Sequence, residues 1–152
     1  LSFRGILGGM TMLKLTRQIE DGIRKAGAEA YPNECCGILF GSEEDGNHVV
    51  KALKAIDNAR ESGEQYHRFL ITAEEMMQAE LEARRLGLEI IGFYHSHPDH
   101  PARPSDYDRD HALPFYSYVI LRVAEGKPET MTSWLLRPSR EAFDNEPFEI
   151  EP

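Results

Sequence analysis

The chain has 152 residues, 41% hydrophobic and 28% charged, the size and composition of one globular domain. It carries 17 basic residues against 26 acidic ones, a net charge of −9. Lys and Arg are scattered among Asp and Glu, so no basic face is present to replace phosphate counterions. Nucleic acid and anionic membrane surfaces are disfavoured as partners. The longest apolar runs, such as Ile90 to Tyr94, fall far short of the roughly 20 residues a membrane helix needs.

Residues 1–9 precede the first Met and contain no long apolar stretch of a signal peptide. They read as an upstream extension or a vector-derived scar, leaving 10–152 as a single domain. Leu15, Ile19, Ile23, Ala26 and Ala30 recur at helical spacing, which predicts an amphipathic helix over 13–30, with Pro32 just beyond its end. Cys35 to Gly41 reads as a buried strand. Asp45-Gly46 signals a hairpin, and His48 to Ile56 returns as the partner strand. Asp57 to Gln65 is polar loop, and Tyr66 to Ile71 reads as a strand.

Thr72 and Glu75 have capping-box spacing, opening a helix that Gly87 ends; the Met76-Met77 pair on it reads as core packing. Glu89 to His95 is a strand, and the three prolines in His97 to Pro104 make that stretch a loop. Ser105 and Asp108 form a second capping box, opening a short helix to about Ala112. Tyr116 to Val123, Thr130 to Arg137 and Phe148 to Ile150 are strands, the first two joined by a Gly-Lys-Pro turn. Three helices on six or seven mostly antiparallel strands make an α+β domain. The two cysteines, Cys35 and Cys36, are adjacent and point to opposite faces of a strand. They read as free thiols in a reducing compartment, the cytoplasm.

Three of the six histidines fall between positions 95 and 100. His95 and His97 share one face at the end of a strand and can aim two imidazoles at one point. The prolines after them stiffen the loop that brings Asp108 back over the strand end. Two His and one carboxylate match a catalytic Zn²⁺ site, with a fourth position left for water. Zinc lowers the pKa of such a water to roughly 7. Glu34, just before the buried strand, is the best candidate for the general base. Ser105 is placed to donate a hydrogen bond to a developing oxyanion. Taken singly, each piece has a plainer account. His-x-His can be a surface pair, Ser105 and Asp108 a helix cap, and Glu34 a helix-end carboxylate. His100 and His111 read as solvated, with a supporting contact from His111 as the alternative. One of the cysteines reads as a small core residue.

Taken together, the pieces resemble a known family. Glu34, then Cys36-Gly37-x-Leu39-x-Gly41, then His95-Ser96-His97-Pro98, six residues, Ser105, two residues and Asp108 resemble the JAMM (MPN-plus) metalloproteases, in particular their small prokaryotic branch. The resemblance runs from the first helix to about Arg137. It implies an MPN-type, cytidine-deaminase-like α/β/α fold, a mixed β-sheet with flanking helices. It implies one Zn²⁺ per chain held by His95, His97 and Asp108, with Glu34 and Ser105 as catalytic residues. It further implies hydrolysis of an amide after the C-terminal Gly-Gly tail of a ubiquitin-like or sulfur-carrier protein. The bond would be an isopeptide bond or the amide to a single cysteine. A homodimer is compatible with the family; nucleic acid and membrane are not expected partners. Two other readings stay open: a non-catalytic MPN scaffold, and a metal enzyme of the RadC type, for which the acidic charge gives no support. Residues 1–9 end Ile-Leu-Gly-Gly, which itself resembles the tail of a ubiquitin-like protein.

Overall fold

Leucine alternation decides how the domain begins. Leu13 and Leu15 are buried while Lys14 and Thr16 are half-buried, a period of two, so Leu13–Thr16 is a strand, β1. The helix expected from residue 13 therefore starts four residues later. Thr16 caps it by accepting a hydrogen bond from the Ile19 amide at 3.2 Å, and α1 runs Arg17–Ala30. In the computed structural model the described residues are 12–57 and 71–152. The extension 1–9, most of the loop expected at Asp57–Gln65 and most of the strand expected at Tyr66–Ile71 lie outside them. Ile71 itself belongs to no strand.

The hairpin forms as the Asp-Gly signal requires. Strands β2 (Cys36–Glu44) and β3 (Asn47–Ile56) pair antiparallel around Asp45 and Gly46, both at positive φ. The complete Thr72–Glu75 capping box opens α2 (Ala73–Arg85), and Gly87 follows at φ +72. Met76 packs into the core, but Met77 is 58% exposed, so only half of that methionine pair is core. Strand β4 is longer than expected, Glu89–Pro98, because His97 and Pro98 still pair with the next strand; the loop begins only at Asp99. Then come α3 (Asp106–His111), β5 (Ser117–Ala124) and β6 (Lys127–Leu136). The β5–β6 turn is Glu125-Gly126, with φ of 51° and 83°, and Lys127-Pro128 is already strand. The chain closes with β7 (Phe143–Glu146), which has no counterpart among the expected strands, and β8 (Phe148–Glu151).

The eight strands form one mixed sheet in the order β7-β6-β5-β4-β2-β3-β1-β8. The pairings β2·β3, β2·β4, β5·β6 and β6·β7 are antiparallel; β1·β3, β1·β8 and β4·β5 are parallel. The sheet is thus less antiparallel than expected, because α3 carries the chain across from β4 to a parallel β5. Each face has its own core. Helix α1 lays Ile23 against Leu39, Tyr94 and Leu121, whereas α2 lays Ala79 and Ala83 against Ile38, Phe40 and Phe93. A bulge at Ile91, between the pairs Leu39↔Gly92 and Phe40↔Ile90, resets the alternation of β4. Beyond it, Phe93 faces α2 and Tyr94 faces α1. The same phase carries into the strand end that holds the histidines. Gly37 is required by a close approach, because a Cβ there would overlap the Tyr94 ring. We expect Gly37→Ala to destabilise the domain by about 1–3 kcal/mol in urea melts, the usual cost of forcing extra volume into a packed core.

Candidate metal centre

The centre is built at the carboxyl end of β4. Strand alternation sends the side chains of His95 and His97 to the α2 side of the sheet, and both are buried. Asp99, at φ +57, turns the chain out of the strand. Its amide donates to the Val123 carbonyl, and its carboxylate accepts from the Glu125 amide at 2.8 Å and the Tyr31 hydroxyl at 2.6 Å. This ties the loop to the β5–β6 turn and to the end of α1. The Thr132 hydroxyl holds the next turn through the Ala102 carbonyl at 2.6 Å. The loop then delivers Ser105 as the cap of α3, and the Arg140 guanidinium donates to the Ala112 carbonyl at the other end of that helix. None of these anchors carries a sequence signal beyond the capping box itself.

Asp108 serves two neighbours at once. Its Oδ2 accepts from the Ser105 amide at 2.9 Å, completing the capping box, and lies 3.1 Å from His97 Nε2; its Oδ1 lies 3.3 Å from His95 Nε2. The two Nε2 atoms are 3.1 Å apart. Tetrahedral zinc with Zn–N and Zn–O bonds of roughly 2.0–2.1 Å needs ligand–ligand edges of about 3.3–3.4 Å. The three donors therefore already stand near the spacing a single ion requires, and their side chains are at most 8% exposed. His97 Nδ1 lies 2.8 Å from the Pro101 carbonyl, which can only accept. That bond fixes the tautomer and leaves the Nε2 lone pair for a cation.

The electrostatics suit a cation as well. Burial pulls the His95 imidazole below its ordinary pKa, against the opposing pull of the Asp108 carboxylate. Burial acts the same way on His97, but the hydrogen bond and charge of Asp108 outweigh it and raise its proton affinity. For Asp108, burial alone would favour the neutral acid. The two imidazoles more than offset that and hold the carboxyl well below the usual carboxylate range.

The centre lies between two concavities. On the α2 side a cavity of about 210 Å³ is walled by His95 and Asp108 together with Phe93, Tyr118 and Met76. On the other side an open groove of about 670 Å³ is lined by His97, Glu34, Ser105, His100 and Arg103. Glu34 is 5% exposed and close enough to His97 for its charge to favour the protonated imidazole. Ser105 is exposed. Its Oγ accepts from the Asp108 amide, so its O–H remains available to donate. The structure thus brings all five expected residues to one centre and its adjoining groove. His100 is exposed on the groove. His111 stacks on Tyr107 and bonds the Tyr107 carbonyl through Nδ1 while lining the cavity. Both cysteines are free thiols. Burial pushes Cys35 up to about 11 and raises Cys36 as well, and neither joins the ligand cluster.

A buried His-His-Asp trio able to chelate one ion, set in a mixed sheet with helices on both faces, defines a single-zinc hydrolase centre. The family described as prokaryotic homologs of the JAB domain matches residues 16–137, and the chain belongs to that family. A desampylase from Haloferax volcanii is 33% identical over 113 residues, 71% of this chain and 78% of that protein. A solution structure of a Salinibacter ruber protein is 42% identical, with a TM-score of 0.72 and 91% of each chain covered. A JAB1/MPN domain protein from Archaeoglobus fulgidus shares the fold at 21% identity, with a TM-score of 0.58 over 95% of this chain and 100% of that one. The chain is a zinc-dependent hydrolase of the JAMM type, and His95, His97 and Asp108 are positioned to chelate a single zinc ion per chain.

Elemental analysis of protein purified without chelator should give about one zinc per chain, and Asp108→Ala should retain almost none. Zinc competes with the proton for His97, whose proton affinity is raised. Apparent zinc affinity should therefore fall as pH drops through that raised pKa, by about tenfold per pH unit for a single displaced proton, in a competition titration with a chromogenic chelator.

Proposed function

We propose that the chain hydrolyses an amide bond after the C-terminal Gly-Gly of a ubiquitin-like or sulfur-carrier protein. Support comes from the relative named desampylase and from the unbroken JAMM motif. The observation that carries the chemistry is the convergence of Glu34 and Ser105 on the groove beside a complete metal-ligand trio. A zinc ion on that trio supplies Lewis acidity, which favours attack by water on a carbonyl near neutral pH.

The protein's own side chains handle the protons. Glu34, desolvated at the groove wall, accepts a proton from the attacking water and returns it to the departing amine nitrogen. Ser105 donates its O–H to the oxygen that gains charge as the carbonyl becomes tetrahedral. Its own position is fixed by the cap of α3, so the donor is held before reaction begins. Asp108 keeps its carboxylate ionised through the two imidazoles, and Pro101 keeps His97 in the tautomer a cation needs. A glycine at the scissile carbonyl lets the main chain approach this centre without a side chain in the way. We also place the protein in the cytoplasm, since Cys35 and Cys36 are free thiols.

The scaffold reading would require a centre that binds no metal, and the buried, pre-spaced donors argue against it. The test uses a Gly-Gly-tailed carrier joined by an amide to a short peptide, with the products weighed by mass spectrometry. Zinc-loaded wild type should release a carrier ending in a free glycine carboxylate. Glu34→Gln should keep its zinc and lose about 10²–10⁴-fold in kcat. Ser105→Ala should lose about 10²–10³-fold with its zinc retained. Intact substrate with zinc-loaded wild type would overturn the proposal.

A further inference from the structure

Ser96 lies between the two histidine ligands in sequence but on the opposite face of β4, against α1. It is fully buried. Its Oγ accepts from the Cys35 amide at 2.8 Å, and its own amide donates to the Cys35 carbonyl at 3.1 Å. Cys36 pairs with His95 in the β2–β4 ladder, and β2 begins there. One residue earlier, a side-chain hydroxyl serves as acceptor for the Cys35 amide. The chain can therefore leave the sheet just ahead of Cys35 with its amide still satisfied.

That amide belongs to the peptide unit joining Glu34 to Cys35. The unit is planar and includes the Glu34 Cα, so gripping the Cys35 N–H limits where the Glu34 side chain starts. A hydroxyl is also a costly way merely to fill the space. The face toward α1 is apolar, and a hydroxyl is tolerated there because it is hydrogen-bonded; alanine would leave the Cys35 amide without its acceptor.

We propose that Ser96 is a positioning residue that sets Glu34 relative to the metal centre. Through it, the strand that aims both imidazoles also fixes the base, so ligands and base share one rigid reference. This rests on the reading of Glu34 as the general base. Ser96 touches neither metal nor substrate; it acts through the Cys35 peptide.

The test compares wild type, Ser96→Ala, Ser96→Cys and Ser96→Thr as zinc-loaded full-length protein on the Gly-Gly amide reporter. Amide hydrogen exchange at Cys35 is followed by NMR. Ser96→Cys keeps the volume with a poor acceptor and covers the case in which the alanine variant folds badly. Ser96→Thr keeps an Oγ that can accept from the Cys35 amide.

We expect Ser96→Ala and Ser96→Cys to keep one zinc per chain and a KM within about twofold of wild type. Their kcat should fall about 10–100-fold, the scale of a misplaced catalytic group. The Cys35 amide should exchange at least about tenfold faster in both, and threonine should recover most of both losses. Wild-type kcat in a folded Ser96→Ala or Ser96→Cys variant would overturn the role of Ser96, while activity lost in Glu34→Gln leaves the parent reading standing. A fall in zinc content that accounts for all the lost activity would also overturn it, since Ser96 would then support the ligands and not the base. Zinc-loaded wild type inert toward the reporter would overturn the parent reading, and the role of Ser96 with it.

Discussion

The centre depends on one constraint, the alternation of side chains along the last four residues of β4. This strand is held on both sides, by β2 as far as His95 and by β5 as far as Pro98. A one-residue slip would send every side chain to the other face. His95 and His97 would then enter the α1 core and Ser96 would face the cleft. The Ile91 bulge sets this phase, and the closely packed Gly37–Tyr94 contact helps to lock it. Fold stability and site geometry therefore rest on the same registry.

The second element is the doubled role of Asp108. A six-residue helix has little intrinsic stability, and α3 is held by its capping box and by Arg140 at its far end. The cap that starts the helix also presents the carboxylate to the imidazoles. Burying an ionised carboxylate is costly unless it is paired and hydrogen-bonded. Here the Ser105 amide donates to it and two imidazoles flank it, and a divalent cation held by the same three side chains would complete its pairing. Zinc binding and local folding of the loop are thereby coupled.

The parts of this design that depend on local sequence were legible in advance. Asp45-Gly46 announced the hairpin, and Thr72 and Ser105 announced both capping boxes. His95, His97 and Asp108 were readable as ligands because strand alternation and a helix cap are short-range rules. The strand β1 was hidden because Leu15 fits both a period of two and the helical period of α1. Nothing in Phe143–Glu146 resembles a buried strand, since β7 is an edge strand with one partner. The proline at position 98 read as loop although it can end a strand that pairs on one side only. The anchors of the metal loop, Asp99 to Tyr31 and Thr132 to Ala102, span 68 and 30 residues and were beyond any local rule. The role of Ser96 was hidden for a similar reason, since its partner is 61 residues away.

The central claim is that one zinc ion is held by two imidazoles and one carboxylate, with both thiols excluded. X-ray absorption at the zinc edge tests it most directly. The expected spectrum has nitrogen and oxygen neighbours at about 2.0–2.2 Å, two of them imidazoles by their outer-shell scattering, and no sulfur. A sulfur shell near roughly 2.3 Å would place Cys35 or Cys36 on the metal and contradict the account.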